Sequence, residues 1–197
     1  MDWNVALKEK FKDDKVGKIK QTCPAKGAKC PDMTKCPMSD EKKKAILAKL
    51  RESGKADKIV RAIERGEIEM YEMNDDVRKK YEMYTAVGLH DGNMIFINTT
   101  NNDACGAADT AHEVTHVLGD PKNKTDELEI IGMDEYKFRS EKASFQKQNE
   151  VWQALKEKYP DLKDTLRDTI LEAEQKGKLD QMIRKNYKLR PGYDDQG

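Results

Sequence analysis

The sequence predicts an α+β fold, mainly helical, with a small antiparallel or mixed sheet. Three observations predict it. Apolar residues recur at helical spacing between Ser39 and Gly66, a period of two takes over only between Glu67 and Asn98, and helical spacing returns from about Asp134 onward. A chain of 197 residues is one domain of ordinary size with room for a small N-terminal addition. The expected divisions are 1–38 (an N-terminal segment with a Cys-Pro loop), 39–187 (the main domain) and 188–197 (a loose tail).

The opening stretch from Asp2 to Lys20 carries only Trp3, Val5, Leu7 and Phe11 as packing residues, enough for one weak helix. The loop after it places proline behind each of Cys23, Cys30 and Cys36. Ser39 followed by Asp40 and Glu41 signals a helix start, with Ile46, Leu47 and Leu50 on one face and Gly54 as the stop. Ala56, Ile59, Val60 and Ile63 repeat at i, i+3, i+4, i+7 and predict a second helix ending at Gly66. Alternation over Glu67 to Met70 predicts a first strand, broken at Asn74 to Asp76. Tyr84 to Leu89 and Asn93 to Asn98 are the expected second and third strands, joined through His90-Asp91-Gly92, because Asp-Gly between apolar runs favours a tight hairpin. Beyond Tyr159 and Pro160, Leu162, Leu166, Ile170 and Leu171, then Leu179, Met182 and Ile183, line two packing helices.

The chemistry concentrates in Asp109 to Asp120, which contains His112-Glu113-Val114-Thr115-His116. Helical spacing of four residues puts His112 and His116 on one face a turn apart, within reach of one Zn²⁺ at about 2.0–2.1 Å. Glu113 is angularly offset, which suits it to accept a proton from water as general base. Two of the three histidines are used here, and Ala111, Val114, Thr115 and Leu118 give the helix a back face to bury, with Gly119 and Pro121 ending it.

A catalytic zinc needs a third protein ligand and an open position. The metzincin continuation fails, because Lys122 stands where its last histidine belongs, and His90, the remaining histidine, lies upstream. On the helix expected from about Asp134 to Lys158, the seam Phe138, Glu141, Phe145, Gln148, Trp152, Leu155 and Tyr159 contains one charged residue. A lone carboxylate among aromatic rings costs several kcal/mol unless a cation neutralises it. Glu141 is the third ligand expected; the competing reading has it border the seam and pair with a Lys or Arg. Glu127, Asp134 and Glu135 fall on or beside the same side of the helix.

His112-Glu113-Val114-Thr115-His116 followed by Ser140-Glu141-Lys142-Ala143-Ser144-Phe145 resembles the zincin metallopeptidases of the gluzincin kind, in particular the compact toxin domains of bacterial polymorphic toxins and type VI secretion effectors. The resemblance covers about residues 67 to 160. It implies a zincin-like catalytic domain over 39–187, a zinc-dependent peptidase delivered by a secretion apparatus, and an immunity protein guarding the producer. Metallopeptidases of this architecture add an extended substrate to the edge of the strand nearest the cleft. Met94 to Asn98 is the strand expected to do so, with sheet core as its other role. The same chemistry suits a protein, a peptide or the peptide stems of peptidoglycan. A non-catalytic, zinc-stabilised adaptor module is the contrasting class, and Glu113 speaks against it, since a structural site has no use for an unligated carboxylate. Tyr187 and Tyr193 are candidate phenol donors to a developing oxyanion.

Composition narrows the partners. Charged residues make up 38% and the net charge is zero, which gives no basic face for nucleic acid. No apolar run approaches the roughly 18 residues of a membrane span, and Met1 to Val5 does not begin a signal peptide. The cysteine spacings do not match paired CxxC zinc ribbons. Two disulfides, with Cys105 joined to one member of the Cys23, Cys30 and Cys36 loop, are expected in an oxidising compartment such as a target-cell periplasm; free thiols in a cytoplasm are the alternative.

Overall fold

The computed structural model describes residues 36–83, 86–119 and 131–189. The expected helix around Trp3, the loop cysteines Cys23 and Cys30, Glu127 and Tyr193 lie outside these residues. The fold is α+β: seven helices and one three-stranded mixed sheet among the described residues. No helix among them is long and apolar enough to cross a membrane.

Local signals set the first helices. α1 (Asp40–Ser53) begins where the Ser39 side chain accepts from Lys42 N at 3.3 Å, and ends at Gly54, whose φ of 64° is the left-handed cap that glycine takes without strain. α2 (Asp57–Glu64) buries Ile59, Val60, Ala62 and Ile63. β1 (Glu69–Glu72) follows two residues later than alternation alone suggests. The break expected at Asn74 is a one-and-a-half-turn helix, α3 (Asp75–Lys80), capped by Asn74 Oδ1 accepting from Val77 N at 2.9 Å.

β2 (Gly88–Asp91) and β3 (Met94–Ile97) form the hairpin, with Gly92 (φ 60°) and Asn93 in the turn. His90 and Asp91 are therefore strand residues rather than turn residues. The sheet order is β1-β3-β2, with β1 parallel and β2 antiparallel to β3. This corrects the expected substrate edge. β3 is the central strand, with Ile95, Phe96 and Ile97 buried, and both its edges are hydrogen-bonded to neighbours. The free side of β1 is covered by residues 36–38, through Met38 N donating to Met70 O and Glu72 N to Cys36 O. β2 is the edge left open among the described residues.

α4 (Asp103–Gly119) is the central helix, buried without interruption from Ala104 to Val114. Its small residues allow this: a Cβ on Gly106 would meet Ile46 Cδ1 of α1 at 3.0 Å, so the two backbones cross closely. Leu118 departs from expectation and is 50% exposed. α5 (Met133–Lys158) packs along α4 more extensively than any other element. It buries Phe138, Glu141, Ser144, Gln148, Asn149, Val151, Trp152 and Leu155, while Tyr159, expected in the seam, stands at the surface. α6 (Thr165–Gln175) and α7 (Leu179–Tyr187) close the far side around Ile170, Leu179, Met182 and Ile183.

Candidate metal centre

The beginning of α4 is fixed by Asn102, whose Oδ1 accepts from Cys105 N at 2.8 Å, and by Lys42 Nζ reaching Asp103 Oδ1 at 2.7 Å. From that start the helical repeat carries His112 and His116 to the face that α5 covers, and Glu113 to the face beside β2. α5 delivers Glu141 to the two imidazoles.

The three ligand atoms converge. His112 Nε2 and His116 Nε2 are 3.1 Å apart, and Glu141 Oε2 lies 3.5 Å from the first and 3.6 Å from the second. Two donors on one tetrahedral ion at zinc bonding distances are separated by about 3.3 Å. All three residues are buried, exposing 9% or less of their surface, and Glu141 Oε2 has no hydrogen-bond partner among the described residues. An orphaned buried carboxylate oxygen is costly, and a dication among the three atoms removes that cost. The donor set, two imidazoles and a carboxylate, is the chemistry zinc takes.

Neighbouring groups hold the ligands in place. His116 Nδ1 is 2.8 Å from Ser140 Oγ, which lets the proton sit on Nδ1 and leaves the Nε2 lone pair for a metal. The Phe145 ring meets the edge of His112 at 4.5 Å between centroids. Burial pulls His112 downward, but contact with Glu141 and the charges of Glu113, Glu141 and Asp109 outweigh it and raise its pKa. Burial pushes Glu141 upward, yet the two histidines dominate and hold it far below the usual carboxylate range. Each partner stabilises the other's charged form in the metal-free site.

One turn before His112, Asp109 forms a fully buried ion pair with Arg167 of α6, and Arg167 also donates to Asp164 Oδ1 at 2.9 Å. Burial lifts Asp109 to about 6, against the pull of Arg167. Asp109 Oδ1 and His112 Nδ1 are both buried and lack partners among the described residues.

Glu113 stands apart from the ligand cluster, as its helical offset predicts. Gly88 lies against it so closely that a Cβ there would meet Glu113 Oε1 at 2.5 Å. His90, set aside in the sequence because it lies upstream, reaches the site from β2: its Nδ1 is 3.3 Å from Glu113 Oε2, and its ring stacks on His116 at 4.7 Å. The hairpin signal that included His90 was the only trace of this placement. Tyr187 sits beside Glu141; burial, then the Glu141 charge, hold its phenol well above the ordinary range, so it remains a proton donor. Glu135 is turned away and bound to Arg139 at 2.9 Å and Arg184 at 3.1 Å. Among the described residues Glu141 faces His112 and His116, and no Lys or Arg is paired with it.

Two triads thus share His116: His112, His116 and Glu141, and His90, Glu113 and His116. The first is the better metal site, because Glu141 Oε2 is orphaned whereas Glu113 Oε2 already has a partner in His90. No family model, curated protein or solved structure matches this chain.

Proposed function

We propose that the chain is a zinc-dependent hydrolase of peptide bonds with a zincin-like catalytic domain. The observation that carries this reading is the convergence of His112 Nε2, His116 Nε2 and Glu141 Oε2 at 3.1 to 3.6 Å, with an unligated carboxylate, Glu113, beside them. His112, His116 and Glu141 hold the ion. When bound, zinc supplies a Lewis acid that polarises a carbonyl and lowers the pKa of water to about 7. Glu113 accepts the proton of the attacking water and returns it to the amine as the C–N bond breaks. Gly88 leaves room for that carboxylate, and Tyr187 offers a neutral donor near the site. The open edge of β2 is the surface on which an extended peptide would add as a further strand. Delivery by a secretion system, an immunity partner and a peptidoglycan or protein substrate rest on the motif resemblance.

The test is zinc analysis of the purified chain together with turnover on a mixed fluorogenic peptide library and on peptidoglycan stems. Wild-type protein should carry about one zinc and cleave one substrate class. Glu113→Gln should keep the zinc and lose about 10²–10⁴ in rate. Equal turnover in both proteins would remove Glu113 from the mechanism, and zinc binding without cleavage of either substrate would favour the adaptor reading.

A further inference from the structure

Resting on the reading of His112, His116 and Glu141 as the primary zinc ligands, we propose that His90 and Glu113 form a second, weaker divalent-cation site beside the first. Their facing atoms, Nδ1 and Oε2, are 3.3 Å apart, about the separation of two donors on one tetrahedral zinc. His116 belongs to the same cluster, but its Nε2 has a single lone pair, faces His112 at 3.1 Å, and is committed to the first ion. Its Nδ1 is engaged by Ser140. The second ion is therefore held by two protein groups and completed by water, which makes it the weaker of the two.

Access favours the site. The His90 side chain is 39% exposed on the open edge of β2, so a hydrated cation meets it from solvent, whereas Glu113 behind it is 9% exposed. Gly88, two residues earlier on the same strand face, puts no side chain between the strand and Glu113. A carboxylate bound to a cation no longer accepts a proton from water. Occupation of this site consequently switches off the general base, and excess zinc suppresses the turnover that one equivalent supports.

The experiment is equilibrium dialysis of the full chain against increasing zinc at fixed pH, with metal counted per chain. Wild-type protein should fill in two stages, reaching about two zinc. His90→Phe keeps a ring over His116 but removes the nitrogen, and should stop at about one, the tight equivalent unchanged. His90→Gln provides the same comparison should the phenylalanine disturb folding, checked by circular dichroism. Saturation of wild type at a single equivalent, or a second equivalent that survives in both His90 variants, would overturn the proposal while leaving the primary site intact. Absence of the tight equivalent in wild type would overturn both.

Discussion

Gly88→Ala separates metal binding from catalysis by adding one methyl group. An ideal Cβ at Gly88 lies 2.5 Å from Glu113 Oε1, 2.9 Å from its Cγ and 3.0 Å from its Cδ. Favourable contact for such atoms is about 3.5–4.0 Å, so the carboxylate must retreat by about 0.5–1 Å. The atoms that must move are the far end of one flexible side chain, and Gly88 is not among the residues with positive φ, so alanine strains no backbone. The stability cost should sit at the low end of the overpacking range, about 1 kcal/mol, or about 2–4 °C in melting temperature for a chain of this size. A general base misplaced by about 1 Å costs about 10²-fold in rate. The expected protein is folded, carries its full zinc and turns over the library peptides about 10²-fold more slowly. Wild-type turnover with zinc retained would refute Glu113 as a base positioned by the strand. Loss of zinc would refute the separation of Glu113 from the ligand cluster.

Three further outcomes follow from the same geometry. Glu141→Gln should weaken zinc binding by more than the 10–100-fold typical of outer-shell changes, read by competition with a chelator, whereas Glu135→Gln, whose carboxylate serves Arg139 and Arg184, should leave it unchanged. Arg167→Met strands Asp109 in the core and should cost about 3–5 kcal/mol in urea unfolding; the double variant with Asp109→Leu should recover part of it, and a single-variant cost below about 1 kcal/mol would mean the pair is not buried as described. Burial opposes the charge on His112, but the carboxylates around it outweigh burial and raise its pKa above the ordinary histidine value, so zinc competes with a proton held more tightly than on a free imidazole and affinity falls as pH drops through that raised value. Zinc binding should therefore release protons, seen as a heat that varies with buffer ionisation enthalpy below the raised value and varies less as pH rises past it; a heat independent of buffer at every pH would contradict this assignment.

The helix ends were legible where one residue's own chemistry settles them: Ser39 can only help as a cap, and Gly54 adopts a conformation other residues avoid. The sheet was less so, because strand order depends on which edges meet. Met94 to Ile97 reads as an apolar strand whether it lies at an edge or in the middle. It became central because β1, after α1 and α2, returns parallel to it in the register Glu69 to Met94, while residues 36–38 cover the other side of β1. Alternation sees a strand's two faces, never its two edges.

The site divides in the same way. The buried place of Glu141 was legible in the sequence because its position is anomalous within its own helix, a charge in a seam of Phe138, Gln148 and Trp152, and a buried charge calls for a compensating partner. His90 breaks no local rule: a polar residue on a half-exposed strand needs no explanation, and its meaning arises only when β2 lies alongside α4 with Gly88 leaving the gap. The contrast fixes how the two carboxylates differ. Glu141 is buried with an oxygen that has no hydrogen-bond partner among the described residues and only the two imidazoles at 3.5 and 3.6 Å facing it, an environment that suits the proposed ligand role. Glu113 is at least as buried but already has a histidine beside it, and Gly88 leaves its carboxylate the space a side chain there would take. A ligand must be held still and a base must be able to reach, exchange its proton and return. With Glu141 as the proposed ligand and Glu113 as the proposed base, the neighbours of each carboxylate suit those opposite needs.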